Sequence, residues 1–105
     1  MKQSVRNFVG NLNKKTFTNN VQRVLYHLLT AEGDWVRLDR TNIPSSEARA
    51  RDLRKSQYGE FNVFCRSAKD LHVVGATPNC KTHYYKLGQR NLTIGKLKTV
   101  FGNLA

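Results

Sequence analysis

Pro44-Ser45-Ser46-Glu47-Ala48-Arg49-Ala50-Arg51-Asp52-Leu53-Arg54-Lys55-Ser56-Gln57-Tyr58-Gly59 leads, after one residue, into Phe61-Asn62-Val63-Phe64-Cys65-Arg66, a passage from a basic helix pattern to an alternating strand pattern that decides the fold. Pro44 disfavours a helical Ile43, so a boundary falls there. Ser45 or Ser46 is expected to cap the helix that follows, and Ala48, Ala50 and Leu53 favour it. Gly59 is the expected stop. The spacing predicts a helix over residues 45–58. With Leu53 inward, Ser46, Ala50 and Gln57 share its buried side. Ser45, Ala48, Arg49, Asp52 and Lys55 then lie opposite, with Arg51 at the flank.

Downstream, Phe61, Val63 and Cys65 alternate onto one face of a strand. Residues 82–87 repeat the pattern with His83, Tyr85 and Leu87 together. Both runs are rich in β-formers. The connection between them, residues 67–81, carries Gly75, Pro78 and Asn79, which are turn residues, and long loops tend to be functional. Upstream, Val21, Val24, Leu25, Leu28 and Leu29 form the clearest apolar stripe of the chain, so residues 19–31 are expected to be helical. Thr18 is the expected N-cap and Gly33 the left-handed residue after the end. Gln22, Arg23 and Tyr26 lie off that stripe. Residues 35–38 read as a brief extended segment or a very short helix, with Trp35, Val36 and Leu38 feeding the core. Val5, Phe8, Val9 and Leu12 mark a short N-terminal helix, interrupted by Lys14-Lys15. Ile94, Leu97, Val100, Phe101 and Leu104 mark a C-terminal one, capped by Thr93 or Asn91. The expected class is α+β, with residues 18–88 as the central domain, 1–17 as a helical extension and 89–105 as a C-terminal helix. That last helix stops in mid-pattern, as a segment would that docks on a partner or continues into a longer protein.

Eighteen Lys and Arg against seven Asp and Glu give a net charge of +11 and a pI near 10.2 over 105 residues. No acid precedes Glu32 and none follows Asp70, so both flanks are uniformly positive. Such an excess favours a polyanionic partner, nucleic acid before anionic membrane. No apolar run approaches the roughly 18 residues of a membrane span, and residues 1–6 lack a signal-peptide stretch. A soluble, cytoplasmic protein associated with the nucleoid of a bacterial host cell is expected.

A helix fits the major groove of duplex DNA, where base edges carry a full donor and acceptor code. Arg49 and Arg51 are the expected base readers, because an arginine fork on guanine discriminates by ~1–3 kcal/mol. Ser45, Ala48 and Asp52 share that surface. Asp52 is expected to hold Arg49 or Lys55 through helical spacing, or to accept from cytosine. Ser46, Arg54 and Lys55 are candidate phosphate contacts, as are Lys69, His72, Asn79 and Lys81 in the hairpin loop. Lys14 and Lys15, with Arg23, are expected to grip phosphate from the other side of the domain. Phe8, Leu97, Val100 and Phe101 could pair two copies into a homodimer, with intramolecular packing as the equal alternative. A protein-interaction module or inhibitor is the rival reading from another class.

Neither metal nor catalytic chemistry is expected, and no cofactor or small-molecule substrate. Cys65, His72, Cys80 and His83 contain no CxxC pair, and a packed thiol and a core imidazole explain Cys65 and His83 better. Two cysteines make no disulfide framework. Glu32, Asp34 and Asp39 do not form the clustered carboxylates of a metal nuclease.

Val24-Leu25-Tyr26-His27-Leu28-Leu29, Gly33-Asp34-Trp35-Val36, Ala48-Arg49-Ala50-Arg51-Asp52-Leu53-Arg54-Lys55 and Tyr84-Tyr85-Lys86-Leu87 together resemble a winged helix-turn-helix domain of phage and mobile-element type. The resemblance covers residues 20–88. It implies a three-helix core with a β-hairpin wing, and a recognition helix around Arg49, Asp52, Leu53 and Arg54. The chain departs from the pattern at Ala50, where a bulkier residue is usual, and at Gln57, where a glycine is usual. Such domains serve excision factors, transcriptional regulators and replication initiators. With its terminal helices the chain also looks like the origin-binding N-terminal domain of a phage-satellite replication initiator, which implies recognition of repeated or inverted sites near an origin.

Overall fold

The computed structural model describes residues 1–77 and 81–104. Its order is α1 (Gln3–Gly10), α2 (Asn20–Thr30), α3 (Ser46–Asp52), β1 (Val63–Ser67), β2 (His83–Leu87) and α4 (Ile94–Phe101), with single 3-10 turns at Lys14–Thr16, Leu38–Arg40 and Ser56–Tyr58. The chain is thus α+β, four helices with one two-stranded antiparallel hairpin.

Helix α2 is the centre of the core, with Val24, Leu25, Leu28 and Leu29 buried to 1 % exposure or less. Its cap is Asn19 rather than Thr18: the Asn19 side chain accepts from the Gln22 amide at 2.9 Å. Thr18 instead donates its amide to Gln22 Oε1 at 2.7 Å, while Gln22 Nε2 donates to the Val100 carbonyl at 3.0 Å. The side chain expected off the stripe is therefore buried and joins the start of α2 to α4. At the other end Glu32 takes the left-handed conformation first, with φ 49°, and Gly33 follows at φ 91°.

Helix α3 is half as long as its pattern predicts. Arg54 and Lys55 donate to the carbonyls three residues back, so the last turn tightens. Lys55 then leaves the helix with ψ 148°. The returning chain satisfies the freed acceptors, Phe61 N–H reaching the Leu53 carbonyl at 2.8 Å and Glu60 N–H the Lys55 carbonyl at 3.1 Å. Gly59, at φ 104°, ends the following 3-10 turn rather than the helix. Ser46, Ala50 and Leu53 are buried as expected, but Gln57 lies beyond the helix and is exposed.

In the hairpin Val63, Cys65 and Ser67 face Leu87, Tyr85 and His83 across the ladder. Val63, Tyr85 and Leu87 are buried, while Cys65 and His83 are half-buried. Val36 adds a one-residue rung on the far side of β2, exchanging two hydrogen bonds with Tyr85 at 2.7 and 2.8 Å. Helices α1 and α4 close the core from below. Phe101 lies 6.4 Å from Phe8 and 5.4 Å from Phe17, ring centre to ring centre. The proposed extensions 1–17 and 89–105 therefore share one apolar cluster with residues 18–88.

Candidate nucleic-acid interface

Helix α3 projects its charged side chains opposite Ala50. Asp52 sits between two cations, with Arg49 Nε 2.9 Å from one carboxylate oxygen and Lys55 Nζ 3.0 Å from the other. The Lys55 contact first, and then the neighbouring charges of Arg49, Lys55 and Arg51, holds the Asp52 carboxyl below its ordinary range. Arg49 Nε makes no directed hydrogen bond in this contact, so the pair is a charge contact that leaves the fork's geometry uncommitted. Arg51 is exposed, and its side chain shows no hydrogen bond or ion pair among the described residues. Ala48 is half-buried between these arginines, and Glu47 places an acid in the first turn that the sequence reading left aside.

Three expectations on this segment need correction. Ser45 makes no capping bond through its side chain and adopts the left-handed conformation, φ 54°. Ser46 is buried and donates its hydroxyl to the Leu38 carbonyl at 2.8 Å, so it cannot reach a phosphate. Arg54 donates Nε and Nη2 to the Val63 carbonyl at 2.9 and 2.6 Å, so it braces β1 against the end of α3. Only the Arg54 contact follows from the early exit of the helix, which brings the returning chain at Val63 within its reach.

Arg23 is not on the other side of the molecule. It shares with Arg49, Asn19, Asn20 and Tyr58 a cleft of about 410 Å³ at the start of α2. It also lines an adjoining cleft of about 350 Å³ with Lys14, Tyr26, His27 and Ile43. Arg23 is fixed by Asn20 Oδ1 at 2.9 Å and the Phe17 carbonyl at 3.2 Å. Lys14 extends over the Tyr26 ring at 5.6 Å, and Lys15 is exposed beside it. The two clefts thus form one strip of cations from Lys14 through Arg23 to Arg49, of which Arg23 is held by hydrogen bonds. Burial first, and the Lys14 charge second, holds the His27 imidazole below its ordinary pKa. Lone charges scattered over three sequence segments gave no signal of this strip; only the packing of α2 on α3 assembles it.

In the hairpin loop Lys69, His72 and Lys81 are exposed, and His72 adopts φ 56°. Asn79 and Cys80 lie outside the described residues. The loop base is a helical turn, with Leu71 and His72 donating to the Ser67 and Lys69 carbonyls. Phe8, Leu97, Val100 and Phe101, expected to pair two copies, are 9, 0, 9 and 1 % exposed. Their apolar surface is covered within the monomer, which corrects the dimer assignment of these residues.

Among the described residues no three His, Cys, Asp or Glu side chains gather where one ion could bind, and no helix is long and apolar enough to cross a membrane. No family model, curated protein or solved structure matches the chain.

Proposed function

We propose that the chain is a winged helix-turn-helix module that binds double-stranded DNA sequence-specifically. In this reading α2 is the first helix, the Val36 rung the short strand, the Leu38–Arg40 turn an abbreviated second helix, α3 the recognition helix and the β1–β2 loop the wing. The observation that carries it is the convergence of Arg23 and Arg49 on one cleft, with Arg51 exposed on the same helix as Arg49, on a chain of net charge +11. Arg51 and Arg49 read base edges, with Asp52 holding Arg49 until a base replaces it. Ser45 and Ala48 are small enough to let the helix approach. Lys14, Lys15, Arg23 and Lys55 hold the backbone on one flank, and Lys69 and Lys81 on the other.

The test is duplex binding by fluorescence anisotropy at two salt concentrations, followed by selection of bound sites from a random pool. Affinity falls steeply with salt when phosphates are neutralised. Arg49→Ala relaxes the selected sequence, losing ~1–3 kcal/mol of discrimination at one position. Lys81→Ala weakens every duplex alike. Identical effects of the two changes on all duplexes refute the division into reader and clamp. The resemblance to replication initiators adds repeated or inverted origin sites as the target; footprints confined to promoters refute that part and favour a transcriptional regulator.

A further inference from the structure

The two faces of the hairpin differ in a way that duplex binding does not use. The inner face carries the buried Val63, Tyr85 and Leu87. By alternation the outer face carries Phe64 and Arg66 from β1 and Tyr84 and Lys86 from β2. The register sets Phe64 opposite Lys86 and Arg66 opposite Tyr84, so aromatic and cationic side chains form a chequered patch. Trp35 extends it past β2, with Lys86 Nζ 4.9 Å from its ring centre.

Phe64 is the anomaly. It is 44 % exposed, and only Val74 joins it as an exposed large apolar side chain among the described residues. Its ring rests on Gly88, where an added Cβ would stand 3.1 Å from Phe64 Cε2 and 3.0 Å from Asn62 Cβ. The ring is therefore seated against the backbone at Cε2 while the side chain stays open to solvent. The adjoining cleft, about 530 Å³, is lined by Asn62, Phe64, Lys86, Gly88, Arg90 and Asn91, with no acid among its lining residues.

We propose that this outer face binds single-stranded DNA, with a base stacked on Phe64, phosphates on Lys86, Arg66 and Arg90, and base edges within reach of the Asn62 and Asn91 amides. An exposed ring among cations is the composition that sequence-tolerant strand binding requires, because every base has a π-face. A duplex keeps its base faces inside the stack, so it offers Phe64 no partner; an unpaired strand does. A protein partner would call for a wider apolar patch than the exposed Phe64 ring with the half-buried Tyr84 and Trp35, interrupted by cations, provides. The choice of DNA over RNA rests on the duplex reading above; the stacking platform itself does not.

The experiment uses the whole chain and labelled oligo-dT of about 12 nucleotides, within the site sizes such surfaces occupy. Wild type binds oligo-dT, and binding quenches the emission of Trp35, the sole tryptophan. Phe64→Ala weakens oligo-dT about tenfold. Phe64→Leu, which keeps an apolar side chain on Gly88 and an intact fold, weakens it as much, because the π-face is gone. Both leave duplex affinity within about twofold. Arg49→Ala does the reverse. Retention of oligo-dT affinity in both Phe64 variants, equal loss on duplex and single strand, or tighter binding of oligo-rU overturns the proposal. Failure of duplex binding with the Phe64 pattern intact refutes the earlier reading and leaves the platform standing.

Discussion

Asp52 shows how far a single residue can be read from its spacing. Helical periodicity places it within reach of Arg49 and Lys55, and it engages both. A carboxylate so placed subtracts from the surface's attraction for phosphate. Asp52→Asn keeps the shape and frees two cations, so affinity for random duplex rises and the plot of log K against log salt steepens by about one. Sequence discrimination falls, because Arg49 is no longer held. Anisotropy titrations in a salt series check this. The folded Asp52 carboxyl lies below its ordinary pKa, so its stabilising contribution is present above the ordinary value and is lost as pH falls through the folded one. His27 has the opposite consequence. Its folded pKa is lowered from 6.5, so the unfolded chain takes up its proton first and stability declines as pH drops through 6.5. His27→Gln removes that part of the decline in thermal midpoint. A phosphate in the same cleft would reverse the preference, so wild-type duplex affinity rises over this window while that of His27→Gln stays flatter. Nothing in the local sequence marked His27, since its neighbour Lys14 is brought near by the fold.

The elements were legible where their signals are local. Five apolar positions at helical spacing fix α2, and the alternation of Val63, Cys65, Tyr85 and Leu87 fixes the hairpin face. The end of α3 was not legible, because no glycine or proline separates Leu53 from Tyr58. The helix stops there because the returning strand supplies Phe61 N–H to the Leu53 carbonyl, a partner that only the folded chain provides. The turn that makes this return possible depends on Gly59. Its φ of 104° strains any other residue, and an added Cβ would meet Phe61 Cε2 at 3.1 Å and the Lys96 carbonyl at 3.3 Å. Gly59→Ala therefore destabilises by about 1–3 kcal/mol in urea unfolding. Gly10, in the last position of α1 with no atom within 4 Å of its added Cβ, is the contrast. Gly10→Ala stabilises by about 0.4–1 kcal/mol by restricting the unfolded chain. If both changes shift the midpoint alike, the backbone account of the α3–β1 turn fails.

At the scale of the whole molecule, the apolar side chains of the terminal helices were evident from the sequence, but not whether they turn inward or outward, since an apolar stripe looks the same covered by its own chain or by a second copy. The structure covers them within the monomer: Phe101 contacts the rings of Phe8 and Phe17, and Val100 accepts from Gln22 of α2. That geometry makes a thermodynamic demand. A side chain of this size at 1 % exposure, removed to alanine, costs ~3–5 kcal/mol. Against a total stability of ~5–15 kcal/mol, such a loss must move the unfolding of the entire domain, not of its edge. Phe101→Ala should therefore lower the midpoint of one cooperative transition, seen identically by far-ultraviolet circular dichroism and by the fluorescence of Trp35, which stands on the hairpin side. Below that midpoint the salt dependence of duplex binding should match wild type, because no cation of the Lys14–Arg23–Arg49 strip has been touched. An appendage would behave otherwise, with the Trp35 transition unmoved while helical signal melts early. Sedimentation at increasing concentration separates the remaining alternative: if Phe101 paired two copies, the variant would shift mass rather than stability.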